Sequence, residues 1–268
     1  MIIGVLLAGC LGLVVWFFLS TRPEPQPDVA KAARSASARA ADQALTARMD
    51  DRMDQVRGAL PWATYLGTTV ADVCSTHSAT ASFMARQTWT PVTCTRTSTV
   101  YEAFDGDFKQ RLSQLDAALG AAGWRPEWGG MPNKAGQEPG LVAAFDYAHQ
   151  PPGDPSPSEV AEAAARPNMV NLEYTVPSTA DFVLPSGRSR YFRSGGTVDV
   201  VQAPHLPTLD DGTALHDIAL KYPSDKTSYY VDWKQYSRPQ LEAAAYPAYD
   251  AILAISISEP YNTSPARP

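Results

Sequence analysis

Two cysteines and a histidine are the first residues in this sequence whose types and spacing could do chemistry. Cys74-Ser75-Thr76-His77, taken with Cys94, offers two thiols and an imidazole. Three chemistries compete for them. A disulfide between Cys74 and Cys94 would close a loop of about twenty residues, worth ~3 kcal/mol. A structural zinc would need a fourth ligand, which no nearby spacing supplies. A Cys–His nucleophile pair would need an electropositive, partly exposed thiol. Two unrelated buried thiols are the bland alternative. The isolated pair favours the disulfide, and so a domain outside the cytosol.

The remaining reactive residues form no known constellation. His77, His149, His205 and His216 are the four histidines, and none lies in an HExxH pattern. His216-Asp217 are adjacent and would point in different directions on a helix. No G-x-S-x-G elbow is present. Asp105-Gly106-Asp107 and Asp210-Asp211-Gly212 resemble calcium-binding runs but lack the distant Glu of an EF-hand. Turns and helix caps account for both. Ser194-Gly195-Gly196 has no following Lys-Ser/Thr and reads as a hairpin turn. No catalytic, cofactor-binding or metal-binding residue is assigned. Tyr229, Tyr230, Trp233 and Tyr236 form an aromatic group suited to stacking on sugars or to protein contacts. Strand alternation would turn half of such a group into the core. Asn262-Thr263-Ser264 is a formal glycosylation site.

These residues sit behind an apolar N-terminus. Ile2 to Leu19 carries no charge. At ~1.5 Å per helical residue it nearly spans a ~30 Å hydrocarbon core. Trp16, Phe17 and Phe18 stand where an interfacial belt is expected. Residues 1–21 are read as a transmembrane anchor. Leu7-Ala8-Gly9-Cys10 also matches a lipobox, which makes Cys10 a candidate for lipidation. The apolar run continues past Cys10, which favours the uncut helix. Arg22, Lys31, Arg34 and Arg39 follow it and, by the positive-inside rule, argue for a cytoplasmic domain. The cysteine pair argues the other way, and the reading adopted is external.

The whole chain has 268 residues, 22 basic and 28 acidic, for a net charge of -6. An acidic chain has no general attraction for phosphate backbones, so nucleic acid is set aside as a partner. Residues 22–28 are proline-rich and read as a semi-rigid linker. Residues 29–60 read as an amphipathic stalk helix, with Leu45, Met49, Met53, Val56 and Leu60 on one stripe. That stripe packs on the domain or on another helix.

Residues 61–260 read as a soluble α+β domain with a mixed, mainly antiparallel sheet and helices packed on it. A subdivision near 150–158 and a tail at 261–268 complete the scheme. Strands are expected at 95–104, 124–128, 141–147, 169–176, 188–193, 197–203, 229–233 and 251–258. The last is apolar on both faces and expected to be central. Helices are expected at 108–119, 159–165, 213–220 and 240–246.

Cys74, Trp89-Thr90-Pro91-Val92-Thr93-Cys94, the following strand, Phe104-Asp105-Gly106-Asp107-Phe108, a Leu-periodic helix and Ala121-Ala122-Gly123-Trp124 resemble a group of uncharacterised membrane-anchored or secreted actinobacterial proteins. The resemblance covers about residues 60 to 130. It implies an envelope location and a Cys74–Cys94 disulfide, and carries over no catalytic residue. The functional expectation is a membrane-anchored extracytoplasmic protein, non-enzymatic, bound to an envelope protein or the cell wall. An envelope hydrolase with a site built from distant residues is the alternative. A lipoprotein-like ligand-binding module is the third reading.

Overall fold

The run at 251–258 expected to be central lies in Ala251–Thr263, the middle strand of a seven-stranded antiparallel sheet. The computed structural model describes residues 24–79, 87–127, 139–150, 153, 155–166, 168–177, 195–203, 226–234, 236 and 238–263. Its strands are β1 (Thr64–Ser75), β2 (Ser78–Ala79), β3 (Thr88–Trp89), β4 (Thr93–Phe104), β5 (Arg125–Pro126), β6 (Met169–Thr175), β7 (Gly195–Gln202), β8 (Ser228–Lys234) and β9 (Ala251–Thr263). Its helices are α1 (Val29–Ala33), α2 (Ala36–Gly58), α3 (Phe108–Ala121), α4 (Leu141–Ala148), α5 (Pro157–Ala164) and α6 (Arg238–Ala245). The sheet runs β5-β6-β7-β9-β4-β1-β8, and β2 pairs β3 separately. The fold is α+β. Among the described residues no helix is long and apolar enough to cross a membrane. Residues 1–23, with the expected anchor and Cys10, lie outside the described set.

The two sheet faces differ. On one, Leu253, Ile255 and Ile257 of β9 meet Val198 and Val200 of β7 and Leu172 of β6. Three helices bury this face. Leu45, Met49, Met53 and Val56 of α2, with Leu60 beyond it, enter the same core as Leu112, Leu115 and Leu119 of α3 and Leu141 of α4. The helix expected as a stalk therefore lies along the sheet, and its apolar stripe is the contact. On the opposite face, Leu241 and Ala245 of α6 pack on Tyr101, Ala103, Ile252 and Ala254.

Local signals start most helices. Ser35 caps α2 by accepting from Ala38 N at 3.1 Å, and Asp107 caps α3 by accepting from Gln110 N at 2.7 Å. Ser156 and Glu159 form a capping box ahead of α5, with a proline in its first turn. Gly123 ends α3 in the left-handed region, at φ 79°.

Three expectations need correction. Residues 141–147 form helix α4 where a strand was expected. The helix starts at Gly140, which has no side chain to cap it. Its cap comes from α3: the Asp116 carboxylate accepts from Leu141 N at 2.8 Å and Val142 N at 3.2 Å. Second, the hairpin expected around Ser194-Gly195-Gly196 is not the pairing of β7. From Gly195 to Gln202 both its edges are filled, by β6 and by β9. Residues 188–193 and 213–220 lie outside the described set. Third, the strand expected at 124–128 reduces in the described residues to Arg125–Pro126. Long strand β1 was not expected at all.

Candidate functional site

Cys74 and Cys94 stand opposite each other in the β1–β4 ladder and form a disulfide, with Cα atoms 3.8 Å apart. Both sulfurs are therefore bonded to each other, which leaves neither as a zinc ligand or a nucleophile. His77 is exposed two residues beyond β1. Among the described residues no group of three or more His, Cys, Asp or Glu is placed to hold a metal. The disulfide is fully buried beneath Val29 and Ala33 of α1, with Val92 and Tyr229 beside it.

The chain reaches α1 through a docked segment. Glu24 N donates to Gln87 O at 3.0 Å, and Trp89 Nε1 donates to Glu24 O at 3.1 Å. Gln26 Nε2 donates to Lys226 O at 2.7 Å. The Asp28 carboxylate accepts from Lys31 N at 2.9 Å and starts α1. The proline-rich stretch expected as a spacer is thus fixed to the β2–β3 pair, to the turn before β8 and to the disulfide region.

Next to the disulfide, the helix-covered face turns ionic. Asp72 of β1 is 0% exposed. Arg96 Nη1 lies 3.2 Å from Asp72 Oδ2 and 3.3 Å from Asp42 Oδ1 on α2, while Nη2 lies 3.6 Å from Asp232 Oδ2 on β8. Tyr261 OH donates to Asp72 Oδ1 at 2.8 Å. Burial pushes Asp72 up to about 7, helped by the neighbouring Asp42 carboxyl and opposed by Tyr261 and Arg96. Arg52 of α2 pairs with buried Glu259, and Arg57 Nε pairs with Glu102 at 3.1 Å. So α2 is clamped to the sheet by three arginine–carboxylate contacts as well as by its stripe. Burying these ions is costly, and the pairing mainly fixes where α2 sits.

The other face carries hydroxyls. Thr97 Oγ1 donates to Ser258 Oγ at 2.9 Å, and Thr99 and Ser256 share a 2.7 Å hydrogen bond. At its edge Thr69, Ala71, Thr97, Thr99, Trp233 and Lys234 are among the residues lining a small open cleft. Further along, Asp199 of β7 is 7% exposed and accepts from Asn171 Nδ2. Burial pushes it up to about 7. Burial raises Tyr101, opposed by a hydrogen bond with Thr69 and helped by the Asp199 charge.

The aromatic group is divided between the faces. Tyr229 pairs with Cys74 and lies on the disulfide side, where its hydroxyl accepts from Arg34 Nε at 3.0 Å. A bulge at Val231 puts Tyr230 and Trp233 together on the hydroxyl side, with ring centroids 6.0 Å apart, edge to face. Tyr236 lies over Gly67: a Cβ there would sit 2.5 Å from its ring. The sequence reading missed Asp72, Arg96 and Asp199. A charged residue inside an otherwise strand-like run was the available signal for each. Asp105-Gly106-Asp107 serves structure: Asp107 caps α3 and Asp105 Oδ1 accepts from Asp250 N at 2.8 Å. His149 caps the end of α4 beside Phe145. Residues 204–225, with His205, His216 and Asp210-Asp211-Gly212, lie outside the described set.

Comparison with protein-family models, curated proteins and solved structures finds no match.

Proposed function

We propose that this chain is a membrane-anchored extracytoplasmic protein whose sheet domain has a binding or structural role in the cell envelope, without catalysis. The buried Cys74–Cys94 disulfide carries this reading. Such bonds persist where no cytosolic reductant reaches them, and this one lies under the first helix after the apolar run. The likeness to actinobacterial envelope proteins supports the same placement. Envelope proteins or wall polymers are the partners it implies. The test combines two measurements on cells. Protease added to spheroplasts should remove the domain, and alkylation before and after reduction should show the two thiols bonded. A protected domain with free thiols would overturn the placement.

An envelope hydrolase is the second reading. Asp199 favours it, because a buried carboxyl near neutrality, close enough to Tyr101 to act on its phenol, is the kind of group that moves protons. Asp199→Asn should abolish any hydrolysis found on wall fragments while leaving the far-UV spectrum intact. Activity that survives the substitution would remove this reading.

A further inference from the structure

We propose that the domain sits directly on the bilayer, presenting α1, the β2–β3 pair and the turn at Lys226 to the phospholipid headgroups. This rests on the anchor reading above. The apolar run ends at Leu19, and Glu24 is already bonded into the domain on both sides of its peptide. Five chain steps separate them, at most ~18 Å fully extended. Pro23 and Pro25 stiffen the approach. Whatever is bonded to Glu24 and Gln26 must stay near the membrane: Gln87, Trp89 and Lys226.

The chemistry of this end suits a headgroup layer. Lys31 and Lys226 are exposed ammonium groups. Trp89 is a half-buried indole whose N–H is bonded, leaving a ring of the interfacial type. Arg34 is held against the Tyr229 ring, 4.9 Å from its centroid. Among the described residues here, two are acids. Asp28 is committed to capping α1, and Glu24 offsets one lysine. Charge among these described residues is nearly balanced, and the short chain, more than attraction, fixes the contact. The opposite end of the sheet, at Gly58 and Thr64, stands roughly 36 Å away along β1.

The experiment uses the full chain in phosphatidylcholine–phosphatidylglycerol bilayers, with Cys10→Ser so that one added thiol can be labelled. Gln87→Cys and Gly58→Cys carry a fluorophore, and a headgroup nitroxide lipid quenches it. A side chain at Gly58 meets nothing within 4 Å, so that reference keeps the fold. The Gln87 probe should lose most of its emission and the Gly58 probe almost none. Inserting about ten Gly/Ser residues between Ser20 and Thr21 should relieve the Gln87 quenching. Extraction of the wild-type chain by alkaline carbonate would overturn both the anchor and this inference. Retention with an unquenched Gln87 probe would overturn this inference alone.

Discussion

Arg96 on β4 and Asp72 on β1 face each other across one rung of the sheet, 3.2 Å apart, and share their site with a second carboxylate, Asp42 of α2. One guanidinium therefore serves two inward-facing acids, with Asp232 at the rim. Removing the cation should leave like charges buried together. Arg96→Met is expected to cost ~3–5 kcal/mol at about pH 8. Near pH 5 the loss should be smaller, because Asp72 can then carry a proton. Urea unfolding at the two pH values checks this, and an equal loss at both would count against a protonatable Asp72.

The two raised aspartates set a pH trend for the whole domain. Asp72 and Asp199 ionise at about 7 when folded, against an ordinary 3.8. Between those values the folded chain keeps protons that the unfolded chain has released. Stability should therefore be greatest at the acid side of the window and fall as pH rises toward 7. The slope approaches ~1.4 kcal/mol per pH unit for each group and flattens above 7. Asp199→Asn should remove one share of it. Denaturant midpoints from about pH 5 to 8 measure the trend, and a rise across that range would refute it.

Reading α4 as a strand shows what local sequence leaves out. Leu141-Val142-Ala143-Ala144-Phe145 is apolar enough for either element. The deciding group is Asp116, 25 residues earlier, whose carboxylate takes the first two helical N–H groups. Asp116→Ala should cost ~1–2 kcal/mol and selectively speed amide exchange at Leu141 and Val142. Uniform exchange across the domain would count against a local cap.

The same contrast separates what was legible from what was not. β9 was readable because both its faces are covered, so its first half, Ala251 to Ile255, is apolar throughout. The α2 and α3 stripes were readable because each helix has one buried side. β1 was hidden because Asp72 interrupts its pattern, and Arg96 and Tyr261 on other strands make that tolerable. The ionic site joins residues 24 and 54 positions apart, a relation no local window contains. The disulfide was expected because two cysteines stood alone.

Two glycines should respond oppositely to alanine. A Cβ at Gly196 would lie 2.4 Å from the Trp124 ring and 2.8 Å from Val176. Gly196→Ala should destabilise by ~1–3 kcal/mol through overpacking. Gly58 lies in the last turn of α2 with open space around it. Gly58→Ala should stabilise by ~0.5–1 kcal/mol. Thermal melts of the pair provide the comparison.

Breaking the disulfide should be felt as a loss of stability more than of shape. The paired substitution Cys74→Ala with Cys94→Ala frees a 20-residue separation between adjacent strands. About 3 kcal/mol should be lost. The β1–β4 ladder should survive in the far-UV spectrum, because it continues for ten further residue pairs. Loss of sheet signal would show that the bond holds the ladder together.

The position of β9 imposes an order of events on synthesis. It is made after β1 to β8, yet it alone joins β4 to β7. Until Ala251–Thr263 emerges, the growing chain is two half-sheets, β4-β1-β8 and β7-β6-β5, each with an open edge. Those edges would attract other chains as readily as each other. A polypeptide threaded through a membrane in an extended state would be spared that interval, since both halves and their missing centre arrive on the far side almost together.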